Sequence, residues 1–234
     1  MKHQSNILAL KYRPLNFQDL IGQEYLVETI QKSIQQNKIP NAYIFTGIRG
    51  VGKTTTARIV AKMLNCTVFD KNNNPDLINC EQAKAITEDR HPDVIEIDAA
   101  SNTSVENARE IIENVKYHPV LGKYKVYIVD EVHMLSKSAF NALLKTLEEP
   151  PPHSKFIFAT TEISKVPITI LSRCQRFDLR RVEKKTLSDF LKSIAKKEDI
   201  TISNEALNLI IKASDGSVRD SLSILDQANI FKSQ

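Results

Sequence analysis

The sequence predicts an α/β protein in which a parallel sheet is flanked by helices and followed by a small helical domain. Short, almost uninterrupted apolar runs alternate with amphipathic helical patterns, which is typical of strands buried on both faces. A glycine-rich loop stands between the first apolar run and a helix, an order that is common in such folds. After about residue 181 only helical patterns remain.

Five runs are predicted to form the sheet. Four are strongly apolar and rich in β-branched and aromatic residues, and the fifth is weaker. In chain order they are AYIFTG (42–47), DVIEIDA (93–99), KVYIVDE (125–131), KFIFATT (155–161) and QRFDLR (175–180).

Amphipathic helices are predicted between the strands, from apolar residues that recur every three or four positions. The last of them has Ser136 as a candidate N-cap and is ended by the prolines at 150–152. The predicted helices cover residues 24–36, 53–64, 104–115 and 136–148.

The chain is predicted to divide into an α/β domain over residues 1–181 and a helical domain over residues 182–234. Helical patterns cover residues 186–197 and 203–213, and a third helix is entered through Gly216 and Ser217. The last pattern continues to KSQ without a stop signal, so we expect the sequence to be part of a longer protein.

Composition excludes several classes of protein. Hydrophobic residues make up 41% and charged residues 26%, which is ordinary for a globular protein. No apolar run approaches the roughly 20 residues of a membrane span, and the N-terminus lacks a signal-peptide core. We therefore expect a cytoplasmic protein.

Charge and cysteine content give little further indication of function. A net charge of +4 permits contact with nucleic acid but does not indicate a dedicated binder, and three cysteines do not make a disulfide framework.

The loop GIRGVGKT, residues 47–54, fits the pattern G-x-x-x-x-G-K-[ST] between a strand and a helix. Glycines let the backbone direct its N–H groups at phosphate oxygens, and the helix N-terminus favours an anion. We expect Lys53 to reach the β and γ phosphates and Thr54 to bind Mg²⁺. The alternative is a glycine turn that matches by chance. The predicted phosphate-binding residues are Gly47, Ile48, Arg49, Gly50, Val51, Gly52, Lys53, Thr54 and Thr55.

The sequence VYIVDEVH places two carboxylates at the end of an apolar strand. Asp130 is expected to hold Mg²⁺ through water, and Glu131 to accept a proton from the attacking water as a general base. The alternative is an acidic pair that caps a helix. Together with the glycine-rich loop, the pair predicts hydrolysis of ATP with Mg²⁺.

Two threonines follow at the end of the next strand. Strand carboxyl ends meet at one edge of a parallel sheet, so a hydroxyl there could orient water near the γ phosphate. Thr161 is preferred over Thr160 for this role, and a purely structural threonine is the alternative. Lys53, Asp130, Glu131 and Thr161 are therefore the residues predicted to carry the chemistry of the chain's own site.

Read in order, these motifs resemble the gamma/tau ATPase subunits of the bacterial DNA polymerase III clamp loader, which are AAA+ proteins. The resemblance covers essentially the whole chain. It is carried by KYRPLNFQDLIGQE, TGIRGVGKTTTARIVAK, EIDAASN, VYIVDEVHMLSKSAFNALLKTLEEPP, ILSRC and GSVRDSLSILDQA.

The resemblance implies a RecA-like α/β domain followed by a three-helix lid, with ATP held between neighbouring subunits of a hetero-oligomeric ring. The implied function is loading of the sliding clamp on primed DNA during replication, as an ATP hydrolase within the DNA polymerase III holoenzyme, a nucleotidyltransferase complex. The implied partners are other clamp-loader subunits, the sliding clamp, primed DNA and the DNA polymerase III core, with no membrane.

The resemblance also implies roles for two arginines. Arg173, in the Ser-Arg-Cys motif, would reach the γ phosphate of a nucleotide bound to the neighbouring subunit; without the family it would be interpreted as a surface arginine. Arg219 would contact the phosphates of its own subunit from the lid, and the alternative is a salt bridge to Asp215 or Asp220. The residues implied to line the adenine pocket are Tyr12, Arg13, Pro14, Ile21 and Gly22.

The chain departs from many of its relatives at a zinc site of four cysteines. It keeps Cys66 and Cys80, but has residues such as Leu77 and Ala83 where the others are expected. Structural zinc sites need sulfur or imidazole at four positions, so we expect no zinc and an insertion held by helix packing. Asp70, Asp76 and His91 are conceivable substitute ligands, and their spacing gives no reason to expect them.

Three other functions compete with this interpretation. A strand-separating helicase would need two RecA-like halves, and this chain has room for one. A non-hydrolysing structural clamp-loader subunit would have a degraded phosphate site, whereas Lys53, Thr54 and both acidic residues are intact here. A ring-type DNA motor ATPase is the most distant alternative.

Overall fold

The computed structural model describes residues 7–71, 74–101 and 105–232. Its centre is a five-stranded parallel sheet with the strand order β2-β3-β4-β1-β5. All five predicted strands are confirmed. They are β1 (Ala42–Thr46), β2 (Val94–Asp98), β3 (Lys125–Asp130), β4 (Ser154–Thr160) and β5 (Gln175–Asp178).

The seven predicted helices are present, with ends that differ by a few residues at most. Three further helices of seven residues or fewer were not predicted, because one or two turns are too short to show a helical period. The helices are α1 (Leu8–Lys11), α2 (Glu24–Gln35), α3 (Lys53–Asn65), α4 (Glu81–Thr87), α5 (Val105–Val115), α6 (Lys137–Glu148), α7 (Ile168–Leu171), α8 (Lys184–Lys197), α9 (Asn204–Ser214) and α10 (Val218–Lys232). Short 3-10 helices lie at Phe17–Asp19, Val132–Met134 and Ile163–Lys165.

Both faces of the sheet are covered, which is why the three central strands β1, β3 and β4 are buried along nearly their whole length, while the edge strands β2 and β5 carry exposed polar residues. Side chains alternate between the faces: Tyr43 and Phe45 of β1 pack in the core with α2 and α3, and Ile44 packs in the core with α5, α6 and α7. Helix α6 begins where it was predicted, because the Ser136 hydroxyl accepts a hydrogen bond from the backbone N–H of Ala139.

The last three helices enclose a separate core, which also takes in the N-terminal helix. Leu8 of α1 is buried there, and its backbone N–H donates to the Asp226 carboxylate over 2.7 Å. The predicted division at residue 181 falls between Leu179, which packs in the sheet core, and Val182, which packs in the helical core; as a domain boundary it stays a prediction. Within the described ranges, no helix has both the length and the apolar composition to cross a membrane.

A buried carboxylate holds the loop that leads into β3. Asp93 is 1% exposed and accepts hydrogen bonds from the backbone N–H groups of Val120, Leu121 and Gly122, each over 2.7 Å. Burial alone would raise the pKa of this carboxyl, but the three N–H donors outweigh it and lower the pKa below its usual value. The charged form of Asp93 is therefore part of the folded state.

We expect Asp93→Asn to destabilise the protein by about 1–3 kcal/mol at neutral pH, since an amide cannot satisfy three donors. Because the folded pKa is lowered, the contribution of Asp93 is present above its unfolded pKa of about 3.9 and is lost as the pH falls through the folded value. Urea unfolding at neutral pH and at about pH 3 should therefore show a smaller gap between variant and wild type in acid. Glu28→Gln, on an exposed helix face, is the control; an equal loss in both variants would contradict the role of Asp93.

Candidate nucleotide-binding site

The glycine-rich loop runs from the end of β1 to the first residue of α3. Gly50 and Gly52 have φ angles of 78° and 104°, which residues with a side chain rarely adopt. Gly52 is also the N-cap of α3, so the unpaired N–H groups of the first helical turn lie at the loop. Such an arrangement favours a bound phosphate.

Lys53 is buried beneath the loop and supports it. Its Nζ donates hydrogen bonds to the backbone oxygens of Gly47 and Ile48, both over 3.0 Å, and the residue is 5% exposed. Burial lowers the pKa of the Lys53 ammonium, while Glu131 and Asp130 act in the opposite direction. The ammonium is thus held between the loop and the two carboxylates.

The hydroxyl of Thr54 and the carboxylate of Asp130 meet at the end of β3. Thr54 Oγ1 donates to Asp130 Oδ2 over 2.5 Å, and Asp130 Oδ1 accepts from the backbone N–H of Glu131 over 2.9 Å. Oxygen atoms of this kind are the ligands that Mg²⁺ prefers. The pair therefore fits the magnesium site that was predicted for it.

Glu131 turns away from Asp130 and towards β4. Its backbone is left-handed, with φ 47° and ψ 45°, an unusual conformation for a residue with a side chain. Its Oε2 accepts hydrogen bonds from the backbone N–H and the hydroxyl of Thr161, over 3.0 and 2.9 Å. Of the two threonines considered, Thr161 therefore contacts Glu131, while Thr160 is fully buried and its Oγ1 accepts from the N–H of Glu162.

Arg173 lies after α7 and pairs with a different part of the chain. Its guanidinium donates to the backbone oxygen of Thr169 over 2.7 Å and to the carboxylate of Glu148 at the end of α6. Among the described residues, none of its hydrogen bonds reaches the phosphate loop. Because its ion pair with Glu148 is partly exposed, that pair contributes little and can be exchanged for another partner.

The lid contacts the loop through the beginning of α10. The backbone N–H of Arg219 donates to the oxygen of Gly50 over 3.2 Å, and the buried Ser217 lies against the same glycine. The side chain of Arg219 is exposed. Asp215, one of its two alternative partners, pairs with Arg181.

The N-terminal segment connects the lid to α3. Tyr12 packs beside the lid core, and its hydroxyl donates to Glu198, which with burial raises the pKa of Tyr12 to about 12. Arg13 donates from Nε to the hydroxyl of Thr55 over 3.3 Å. Ile21 also packs against the lid core, and Gly22, with φ 71°, lies against Val182. The structure thus brings this segment close to loop and lid, and its role at an adenine stays a prediction.

Cys66 and Cys80 are buried neighbours that share a hydrogen bond. Burial is the main cause that raises the pKa of Cys66 to about 12. Burial also acts on Cys80, but hydrogen bonds from the backbone N–H groups of Ala83, Thr67 and Gln82 and from the Cys66 thiol outweigh it and lower that pKa. Leu77 and Ala83, which stand where the resemblance led us to expect cysteines, pack in one cluster with Cys66 and Cys80.

Two of the side chains considered as substitute zinc ligands have hydrogen-bond partners of their own. The two ring nitrogens of His91 contact Gln82 and the backbone N–H of Asp93, and Asp76 accepts from Asn79. Among the residues that the structure describes, no three or more His, Cys, Asp or Glu side chains are arranged to hold a metal. The expected absence of zinc stays a prediction.

Two functional features were missed in the sequence. His133, the last residue of the DEVH motif, lies beside Thr160 and Glu131, and the motif itself was the signal that could have drawn attention to it. The contact between Gly50 and Ser217 had no signal in the sequence, because the two residues are far apart along the chain.

Solved structures of RuvB from Thermotoga maritima share this fold. The structure of the RuvB Holliday junction branch migration motor has a TM-score of 0.66 at 19% identity, covering 92% of this chain and 64% of that one. A point variant of the same protein has a TM-score of 0.67 at 19% identity, with the same coverage. At this identity the likeness concerns the fold alone. It confirms the predicted AAA+ fold, a parallel sheet flanked by helices with a helical lid.

Two family models identify the chain more closely. A model described as DNA polymerase III, delta subunit, matches residues 22–183, and one described as DNA polymerase III clamp loader subunit, ATPase lid domain, matches residues 186–233. The chain therefore belongs to this family of DNA polymerase III clamp loader subunits.

Curated relatives confirm the resemblance to gamma/tau subunits. The chain is 50% identical to DNA polymerase III subunit tau/gamma of Haemophilus influenzae, covering 95% of this chain and 32% of that protein. It is 49% identical to subunit tau of Bacillus subtilis, over 94% of this chain and 39% of that protein. With subunit gamma of Buchnera aphidicola (subsp. Baizongia pistaciae) the identity is 46%, over 95% of this chain and 60% of that protein. The chain thus spans between about a third and two fifths of the length of the first two relatives.

The contact between loop and lid can be tested with Gly50→Ala. A Cβ at this position would lie 2.1 Å from Ser217 Oγ, and φ would stay at 78°. We expect the variant to move the start of α10 off the loop, with a cost of about 1–3 kcal/mol in unfolding free energy for the strained backbone. Hydrogen exchange at the Arg219 amide, which donates to Gly50, should become faster. Gly122→Ala, whose Cβ would lie 2.9 Å from the Asn65 side chain, is the control for a steric clash outside the lid contact, and it should not speed exchange at Arg219 as Gly50→Ala does. Unchanged exchange in Gly50→Ala would contradict the contact.

Proposed function

We propose that this chain is the ATPase part of a clamp loader subunit, which binds ATP with Mg²⁺ and hydrolyses it in a hetero-oligomeric ring that loads the sliding clamp on primed DNA. The observation that carries the proposal is the meeting of Lys53, Thr54, Asp130, Glu131 and Thr161 at one edge of the sheet. Kinship with DNA polymerase III subunits gives the site its biological setting.

In this proposal the chain's own residues divide the work. Loop N–H groups and Lys53 bind the β and γ phosphates, with Thr55 and the side chain of Arg219 at the loop's edges. Thr54 and Asp130 hold Mg²⁺, which when bound neutralises phosphate charge. Glu131 accepts the proton of the water that attacks the γ phosphorus, while Thr161 keeps the carboxylate in place.

The segment at Tyr12, Arg13, Pro14, Ile21 and Gly22 is proposed to hold the adenine. Its position between the lid core and α3 supports this, since Arg13 contacts α3 while Ile21 packs against the lid. A base bound there would link the lid angle to the nucleotide. Tyr12 itself faces Glu198, so the apolar and backbone atoms of the segment are the better candidates for the contact.

The wider setting follows from the relatives. We propose that other clamp-loader subunits, the sliding clamp, primed DNA and the DNA polymerase III core are the partners, and that the protein acts in the cytoplasm. The rival function, a non-hydrolysing structural subunit, predicts a phosphate site that lacks part of its machinery. The described contacts of Lys53, Thr54, Asp130 and Glu131 favour hydrolysis instead.

Two variants of the chain's own site should separate binding from hydrolysis. Lys53→Ala should abolish ATP binding, since it removes the phosphate-binding ammonium and the support of the loop. Glu131→Gln should leave ATP binding nearly unchanged and lower turnover by about 10²-fold or more, because only the proton acceptor is lost. Affinity for a fluorescent ATP analogue and phosphate release are the measurements. Equal losses of affinity and rate in Glu131→Gln would make Glu131 a structural residue.

Arg173 is proposed to act on the nucleotide of the neighbouring subunit. In the assembled complex, Arg173→Ala should lower ATP hydrolysis by about 10²-fold or more, as loss of such an arginine does elsewhere. ATP affinity of the same subunit should stay unchanged, because the guanidinium pairs with Glu148 and not with the loop. Arg176→Ala, which removes a neighbouring exposed arginine, is the matched control.

Mixing variants tests the direction of this effect. Arg173→Ala and Lys53→Ala chains assembled together should recover activity only at interfaces where an intact Arg173 faces an intact loop. Loss of ATP affinity in the isolated Arg173→Ala chain, with an unchanged rate in the assembly, would mean that Arg173 acts in its own subunit.

A further inference from the structure

His133 occupies a nearly closed position beside the proposed general base. It lies in the 3-10 helix Val132–Met134, and its side chain is 6% exposed. Its Nδ1 is 2.9 Å from Thr160 Oγ1 and 3.4 Å from Glu131 Oε2, and its Nε2 is 3.4 Å from Glu162 Oε1. One imidazole therefore faces both the base and the end of β4.

Nδ1 can make a hydrogen bond with Thr160 Oγ1 in either tautomer of the imidazole: as an N–H it donates to the hydroxyl oxygen, and as a lone pair it accepts the hydroxyl proton. Each ring nitrogen also lies 3.4 Å from a carboxylate oxygen, Nδ1 from Glu131 and Nε2 from Glu162. Thr160 Oγ1 also accepts a hydrogen bond from the backbone N–H of Glu162, so the hydroxyl is held on two sides. His133 is thus fixed against a rigid point of the sheet.

These contacts close a ring around the base. Glu131 Oε2 accepts hydrogen bonds from Thr161, which follows Thr160 in the chain. Thr160 is in turn hydrogen-bonded to His133, which lies two residues after Glu131. Two hydrogen bonds from Thr161 reach Oε2, and the imidazole of His133 lies 3.4 Å from the same oxygen. These contacts hold Oε2 against the end of β4, which restricts the orientations open to the carboxylate.

We infer that His133 is a positioning residue for Glu131, which fixes the end of β3 to the end of β4 through Thr160 and so aims the base. This inference rests on the proposed ATP hydrolysis. His133 touches neither phosphate nor water in this role, and its loss acts through the orientation of Glu131. Groups that orient a reacting group in this way typically account for about 10–100-fold of activity.

The two ring nitrogens allow a test that distinguishes a positioning role of His133 from a purely steric role in packing. The amide of asparagine takes the place of Nδ1, while that of glutamine takes the place of Nε2. In the full-length protein assembled with its partner subunits, His133→Ala and His133→Gln should lower kcat for ATP by about 10–100-fold, with ATP affinity within about twofold of wild type. His133→Asn should recover most of the rate. His118→Ala, an exposed histidine at the opposite end of the sheet, should leave kcat unchanged.

Thr160→Val supplies the second part of the test, because it removes the hydroxyl and preserves the shape of a buried side chain. It should lower kcat by a similar factor, and the double variant with His133→Ala should be no slower than either single variant. Melting temperatures identify variants that fail to fold. If His133→Ala does not fold, the comparison of His133→Asn with His133→Gln still tests the inference.

The outcomes separate this inference from the proposed function. Equal rates for His133→Asn and His133→Gln, or losses that multiply in the double variant, would overturn the positioning role. A fall in ATP affinity that matches the fall in kcat would also overturn it. If the wild-type assembly does not hydrolyse ATP, the proposed function fails first; if it does and His133→Ala keeps its rate, only the inference fails.

Discussion

The insertion of β4 between β3 and β1 is the constraint on which the candidate site depends. In this parallel sheet the carboxyl ends of the three strands lie side by side, with β4 in the middle. The phosphate loop follows β1, Asp130 ends β3, and Thr160 ends β4. Strand order alone thus places a phosphate-binding loop, a pair of carboxylates and two hydroxyls at one edge of the sheet, whatever contacts their side chains make.

Contacts across that edge then define the geometry. A hydrogen bond from Thr54 to Asp130 connects the start of α3 to the end of β3, and one from Thr161 to Glu131 connects the ends of β4 and β3. These bonds are short and partly buried, so a shift of one strand end would be felt by its neighbours. The left-handed backbone of Glu131 accompanies these contacts, since it lies where the chain leaves β3 and the side chain meets Thr161.

The lid and the N-terminal segment add a second layer above the sheet. Helix α10 begins against Gly50, and the segment around Arg13 reaches α3 while its neighbours pack in the lid core. A movement of the phosphate loop or of the start of α3 would therefore act directly on both the lid and the N-terminal segment. Arg173 is different, because it pairs with Glu148 on the outside of its own chain. The architecture thus separates the groups that line the site within the chain from Arg173, which our proposal assigns to the site of a neighbouring subunit.

The sequence by itself determined the elements whose signals are local. The five strands, the glycine-rich loop, the Ser136 cap and the neighbouring Asp130 and Glu131 depend on residues within a few positions of each other, where periodicity and chain geometry decide. The strand end alone did not favour Thr161, but together with the glycine-rich loop and the two carboxylates it did, and the structure places Thr161 in contact with Glu131.

Only the tertiary structure decided which of these elements touch. It added α1, α4 and α7, whose one or two turns are stabilised by packing and not by a helical period. It joined His133 to Thr160, placed Ser217 against Gly50, and turned Tyr12 towards Glu198. Each of these contacts links residues that are distant in the chain, and such proximity follows from strand order and helix packing, which local sequence patterns do not encode.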